Sequence, residues 1–97
     1  MTPTERITAA LPIGEESGMS LDNLTLISGL SSRATRLTIE KLRRDGEVIC
    51  SSEKGYYYPA DADELRRYVN KERCRANSIT VTLESAEKLL SEWSERH

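Results

Sequence analysis

Phenylalanine is missing from this chain, and Trp93 is its single tryptophan. A core must therefore be drawn from Leu, Ile, Val and the four tyrosines. Histidine occurs once, as His97, which leaves no histidine base or histidine metal pair inside the chain. A last-residue histidine reads as a disordered end or a tag remnant. Two cysteines, Cys50 and Cys74, are too few for a disulfide scaffold or a zinc site. Both are expected to be reduced packing residues of a cytosolic protein. Neither has an identifiable base partner, and no glycine loop suited to a phosphate is present. The acidic pairs Glu15-Glu16 and Asp61/Asp63/Glu64 fall in a loop and at a helix start, where they serve solubility and capping. An enzyme is not expected, and neither is a cofactor or a metal. No apolar run approaches the length of a membrane span, and no apolar segment follows Arg6 as a secretory signal would. The expected location is cytoplasmic.

What the chain does hold is charge, unevenly placed. Its 97 residues suit one small domain with a modest core, so a further helix or a second copy would help it. The formal net charge is −2. Residues 1–30 carry Arg6 against Glu5, Glu15, Glu16 and Asp22, a net −3. Residues 31–46 carry Arg33, Arg36, Lys41, Arg43 and Arg44 against Glu40 and Asp45, a net +3. Positive charge thus collects on one short segment, the distribution a DNA reader needs and one that a solvated helix face also has.

That segment belongs to SLDNLTLISGLSSRATRLTIEKLRRDG, Ser20 to Gly46. Ser20 caps a first helix, and Leu24 and Ile27 are apolar positions on it. Gly29 can take the left-handed conformation that ends this helix. Ser31 offers its oxygen to the start of a second helix, and Gly46 stops it. Thr35, Ile39 and Leu42 recur at spacings of four and three, so they share one face. This is the layout of a helix-turn-helix.

Upstream, Thr2-Pro3-Thr4-Glu5 predicts a capped helix over residues 3–11, with Ile7 and Leu11 facing the pair. Residues 12–19 form a loop that can contribute a very short strand but does not need to. Downstream, Glu47 to Ser51 reads as a strand, Ser52 to Gly55 as a turn, and Tyr56 to Tyr58 as a second strand stopped by Pro59. Tyr56 and Tyr58 share one face of it and Tyr57 takes the other. Asp61 and Glu64 predict a capping box for a further helix, with Leu65, Tyr68 and Val69 on its apolar side. Ile79, Leu83, Ala86, Leu90 and Trp93 then form a heptad seam. Thr80-Val81-Thr82 are poor helix formers, so either one long helix or two are possible. The expected fold is mainly α with a small β-wing: a winged helix-turn-helix domain over residues 1–76, and a C-terminal helical segment over residues 77–97.

If Thr35, Ile39 and Leu42 are buried, the opposite side carries Arg33, Leu37, Glu40 and Arg44. Arg33 and Arg36 lead as base contacts, because a guanidinium donates bidentately to guanine. Ser31 and Ser32 can donate to phosphate at the helix start. Arg43 and Arg44 are placed for phosphate or the surface, and Lys54 lies at the wing tip. Leu37 can meet a thymine methyl, a protein partner or the core.

The run GLSSRATRLTIEKLRRDGEVICSSEKGYYYPADADELRRYV resembles small winged helix-turn-helix proteins of phages and prophages. Its arrangement is similar to the N-terminal DNA-binding domain of biotin-operon repressors. The likeness rests on Leu30 to Arg33, Lys41 to Gly46, Val48 to Ser51 and Gly55 to Pro59, and covers about residues 3–76. It implies recognition-helix contacts by Arg33 and Arg36 and a wing contact by Lys54. It implies sequence-specific binding of double-stranded DNA, as a transcriptional regulator of a prophage or mobile element. Phage excision, a replication accessory role and a protein-binding winged helix are the alternatives. The seam from Ile79 to Trp93 serves either a homodimer or a fold-back onto the first helix.

Overall fold

The computed structural model describes residues 1–95. His97 lies outside the described residues. Three short helices form the compact end: α1 (Pro3–Ala10), α2 (Leu21–Ser28) and α3 (Ser32–Arg44). Each starts as its sequence predicts. Thr2 caps α1 with a reciprocal Glu5 contact, Ser20 caps α2 by accepting from the Asn23 N–H, and Ser31 caps α3 by accepting from the Ala34 N–H. Gly29 ends α2 in the left-handed region at φ 76°. At the end of α3 the Gly46 N–H donates to the Arg43 carbonyl and the Glu47 N–H to that of Leu42, a Schellman closure.

Ile7 and Leu11, Leu24, Ile39 and Leu42 from this end, together with Ile49, form the core. Met19, Tyr56 and Tyr58 pack against its edge.

The wing is an antiparallel pair, β1 (Cys50–Ser52) and β2 (Gly55–Tyr57), in which Cys50 faces Tyr57 and Ser52 faces Gly55. The first strand starts later than the β-branched run at residues 47–49 predicts. Glu47 is engaged in closing α3, and the Ile49 carbonyl accepts from the Arg43 side chain. Those backbone groups are unavailable to a ladder, so pairing begins at Cys50. The other edge of β2 is taken by the α1–α2 loop. Met19 and Tyr56 exchange backbone hydrogen bonds of 2.9 and 2.8 Å, and Ile13 bridges Tyr58 in parallel. The loop forms no strand of its own; these two isolated bridges flank a 3-10 turn at Glu15–Ser17. Gly55 makes the Met19 bridge possible: a Cβ there would stand 2.4 Å from the Met19 carbonyl oxygen.

Helix α4 (Ala62–Glu95) is one continuous helix of 34 residues. It accounts for the 56 Å long dimension of the molecule. The predicted weak point does not break: the helix runs through Thr80 and Thr82, whose hydroxyls donate to the Ala76 and Ser78 carbonyls of the preceding turn. Asp61 caps the helix by accepting from the Glu64 N–H at 2.8 Å. The expected capping box is only half made. The Glu64 carboxylate instead accepts from the Ala60 and Glu15 N–H groups, which ties the 3-10 turn to α4. Cys50 is buried as expected; Cys74 is exposed on α4, where nothing packs on it, so it is not a packing residue. The architecture is that of a winged helix-turn-helix with a C-terminal helical extension.

Candidate nucleic-acid interface

The position of α3 is set by its hydroxyls as much as by its apolar side chains. Thr35, Ile39 and Leu42 are the buried residues of this helix. Thr35 Oγ1 lies 3.1 Å from Ser28 Oγ, at the last residue of α2. Thr35 Oγ1 is also within hydrogen-bond distance of the Ser31 carbonyl and Ser28 Oγ of the Thr25 carbonyl, so two hydroxyl protons are shared among three contacts, and the Leu30 N–H donates to Ser28 Oγ. Two hydroxyls therefore clamp the turn between the helices from inside. Both are fully buried, where losing such bonds is costly.

With that face turned inward, the opposite one is open. Ser31, Ser32, Arg33 and Arg36 are exposed at the N-terminal half of α3. Among the described residues neither Arg33 nor Arg36 has an acidic partner within ion-pair distance. Glu40 stands four residues from Arg36 but pairs with Arg44, at 3.9 Å. Leu37 lies on the same surface and is 54% exposed, so the core does not claim it. Ser31 Oγ is engaged as the helix cap, and its hydroxyl proton stays available to an acceptor.

Arg43 stands apart from this group. Its Nε donates to the Ile49 carbonyl at 2.8 Å and a terminal nitrogen to Ser51 Oγ at 3.2 Å. Its guanidinium carbon lies 5.8 Å from the Tyr56 ring centre and 5.9 Å from that of Tyr68. It joins α3, the wing and α4, and is half-buried in doing so. Lys71 adds to that joint by donating to the Ser51 carbonyl at 2.9 Å. Lys71 and Glu64 act as tethers that no local pattern announces, since their partners lie 20 and 49 residues away.

Lys54, at the wing turn, is held by the Glu16 carboxylate. The hydrogen bond to Glu16 raises its pKa above the usual lysine value. Behind the wing, the Tyr57 hydroxyl points at Glu15 Oε2, 3.4 Å away. Burial, reinforced by the Glu15 charge, pushes its pKa up to about 12. Tyr56 and Tyr58 face the core and Tyr57 faces the 3-10 turn, so all three rings are covered to some degree and form no open stacking surface.

The helical pair and its wing match the general architecture of winged helix-turn-helix DNA-binding domains, without selecting the phage or biotin-repressor group among them. No protein-family model matches the chain, and neither a search of curated proteins nor one of solved structures returns a match. Among the described residues there is no cluster of three or more His, Cys, Asp or Glu able to hold a metal ion. None of the described helices is long and apolar enough to cross a membrane.

Proposed function

We propose that this chain binds double-stranded DNA sequence-specifically through the N-terminal half of α3, as a homodimeric transcriptional regulator of a prophage or mobile element. The observation carrying this reading is the pair Arg33 and Arg36, exposed and without acidic partners on a helix that the Ser28–Thr35 clamp positions. Arg33 and Arg36 read base edges in the major groove, and Leu37, one turn on from Arg33, meets a thymine methyl. Ser31 and Ser32 donate to a phosphate at the helix start, helped by its free N–H groups. Arg44 supplies a later phosphate contact, leaving Glu40 to do so. Arg43 contributes as a positioning residue that holds the wing against α3. Lys54 reaches DNA only by exchanging Glu16 for a phosphate. Excision and replication roles belong to the same DNA-binding class.

A winged-helix module for protein binding is the second reading, favoured by the exposure of Leu37 in the middle of this surface. Titration against mixed genomic fragments at two salt concentrations separates the two. DNA binding should weaken steeply with salt, and fragments selected from the host genome should share a site. Binding that stays at background and ignores salt overturns the DNA reading. Substituting Arg36→Ala should cost roughly 1–3 kcal/mol on the selected site and little on unrelated DNA.

A further inference from the structure

From residue 73 to residue 95 every residue of α4 is exposed, so this length of helix covers nothing in its own chain. It is nevertheless amphipathic, in a phase that extends upstream of the seam read from the sequence. Val69, Ala76, Leu83 and Leu90 repeat every seven residues, and Glu72, Ile79, Ala86 and Trp93 follow each of them by three. These are the two core positions of a coiled coil. Their large apolar members are 40% (Val69) to 62% (Leu90) exposed.

We propose that α4 pairs with α4 of a second copy in antiparallel orientation, about a two-fold axis at Val81. This rests on the self-association part of the reading above and not on its DNA-binding part. Charge decides the occupant and the direction. The proximal half of the helix carries Arg66, Arg67, Lys71, Arg73 and Arg75 against Asp63, Glu64 and Glu72, a net +2, and the two acids of its first turn lie beyond the reach of a partner centred on Val81. The distal half carries Glu84, Glu87, Glu92 and Glu95 against Lys88. An antiparallel partner lays acidic half on basic half along the whole contact. A parallel partner lays like on like.

The core layers point the same way. In antiparallel register Leu83 meets the partner's Ile79, Ala76 meets the partner's Ala86, and Val69 meets the partner's Trp93. Large faces large at the centre and small faces small beside it, as they also do when each residue meets its own copy in parallel register, so the layer that separates the two directions is that of Glu72. Glu72 meets the partner's Leu90, and Arg73 flanks the seam opposite the partner's Glu87, once on each side of the axis. In parallel register Glu72 would meet the partner's Glu72 inside the seam, a like-charge layer with no relief. Cys74 and Val81 lie on the outer side of the helix in either arrangement.

The consequence for the whole molecule is a spacing. The two winged domains sit at opposite ends of the pair, with the α4 starts at Ala62 about 57 Å apart at 1.5 Å per residue. Paired recognition helices would therefore address half-sites more than one DNA turn (about 34 Å) apart.

Sedimentation equilibrium of the full chain reads self-association, and a pair of nitroxide labels reads direction. The label is placed at Ser94→Cys in a Cys74→Ser background, with Cys50 buried and unlabelled. Antiparallel pairing puts the labels about 40 Å apart, from thirteen residues of helix on each side of the axis, whereas parallel pairing puts them within about 20 Å. A dimer with the long distance supports the proposal. A dimer with the short distance, or with no defined distance, overturns the antiparallel arrangement while leaving self-association intact. A monomer at high protein concentration overturns both. Neither result bears on whether α3 binds DNA, which the salt titration decides.

Discussion

Ser28 and Thr35 meet hydroxyl to hydroxyl, 3.1 Å apart, in the closed angle between α2 and α3. Their two protons serve three contacts: the one between them, and those to the Thr25 and Ser31 carbonyls. Ser28→Ala removes the acceptor of the Leu30 N–H as well, and should lower stability by about 1–2 kcal/mol. Thr35→Val should cost about 1 kcal/mol, and the double variant less than the sum of both. Thr25→Val supplies the contrast. Thr25 Oγ1 is buried with no hydrogen-bond partner among the described residues, so this change should be neutral or stabilising. Urea denaturation midpoints at unchanged slope check all four variants.

Arg36 and Arg43 are both arginines of α3, and their substitutions should separate stability from binding. Arg43→Ala leaves the Ile49 carbonyl without its charged donor and unties the wing, and should cost about 1–3 kcal/mol of folding stability. Arg36→Ala removes an exposed side chain and should change stability by less than about 0.5 kcal/mol. Its effect should be confined to DNA affinity. Thermal melts beside binding titrations test the split, and a destabilised Arg36→Ala protein would refute it.

Alkaline pH should weaken the fold through Tyr57. Its pKa rises from 10.0 to about 12 on folding, so the folded state holds this proton more tightly than the unfolded chain does. The contribution is fully present below pH 10 and is lost as pH climbs from about 10 to about 12. Stability measured across this window should fall more steeply in the parent chain than in Tyr57→Phe. Equal slopes would show that the hydroxyl is not shielded.

Reversing the charges of Arg73 and Glu87 tests their pairing across the proposed dimer. Arg73→Glu alone and Glu87→Arg alone should each weaken self-association about two- to tenfold, and the two changes together in one chain should restore it. In a parallel dimer these residues stand two heptads apart, so the double variant would stay as weak as its parents. Sedimentation equilibrium at low salt reads the difference.

The two thiols should behave as one fast and one silent. Cys74 is exposed, whereas Cys50 is buried and its pKa is raised by that burial. One equivalent of an aromatic disulfide reagent should react in the native protein and two in denaturant. A second fast thiol in the native state would mean that the β1–β2 sheet opens readily.

The three short helices, their caps and the inward face of α3 could be read from the sequence alone. A Ser or Thr cap acts on a backbone N–H three residues on, and a buried stripe repeats every three or four, so both signals are complete within a few turns of chain. The outward position of Arg33 and Arg36 follows from the same periodicity. Tertiary structure decided what depends on distant partners. Arg43 looks like any other basic residue near a helix end until the wing folds back over it and supplies Ile49, Ser51 and Tyr56. Glu64 matches a capping-box pattern, yet the 3-10 turn brings the Glu15 N–H to its carboxylate and draws it away from Asp61. Lys54 is a plausible wing-tip cation until the α1–α2 loop sets Glu16 beside it. The unbroken α4 lay between the two kinds of information: Thr80 and Thr82 are weak helix formers by propensity, which left one helix or two open, and the structure runs a single helix through them.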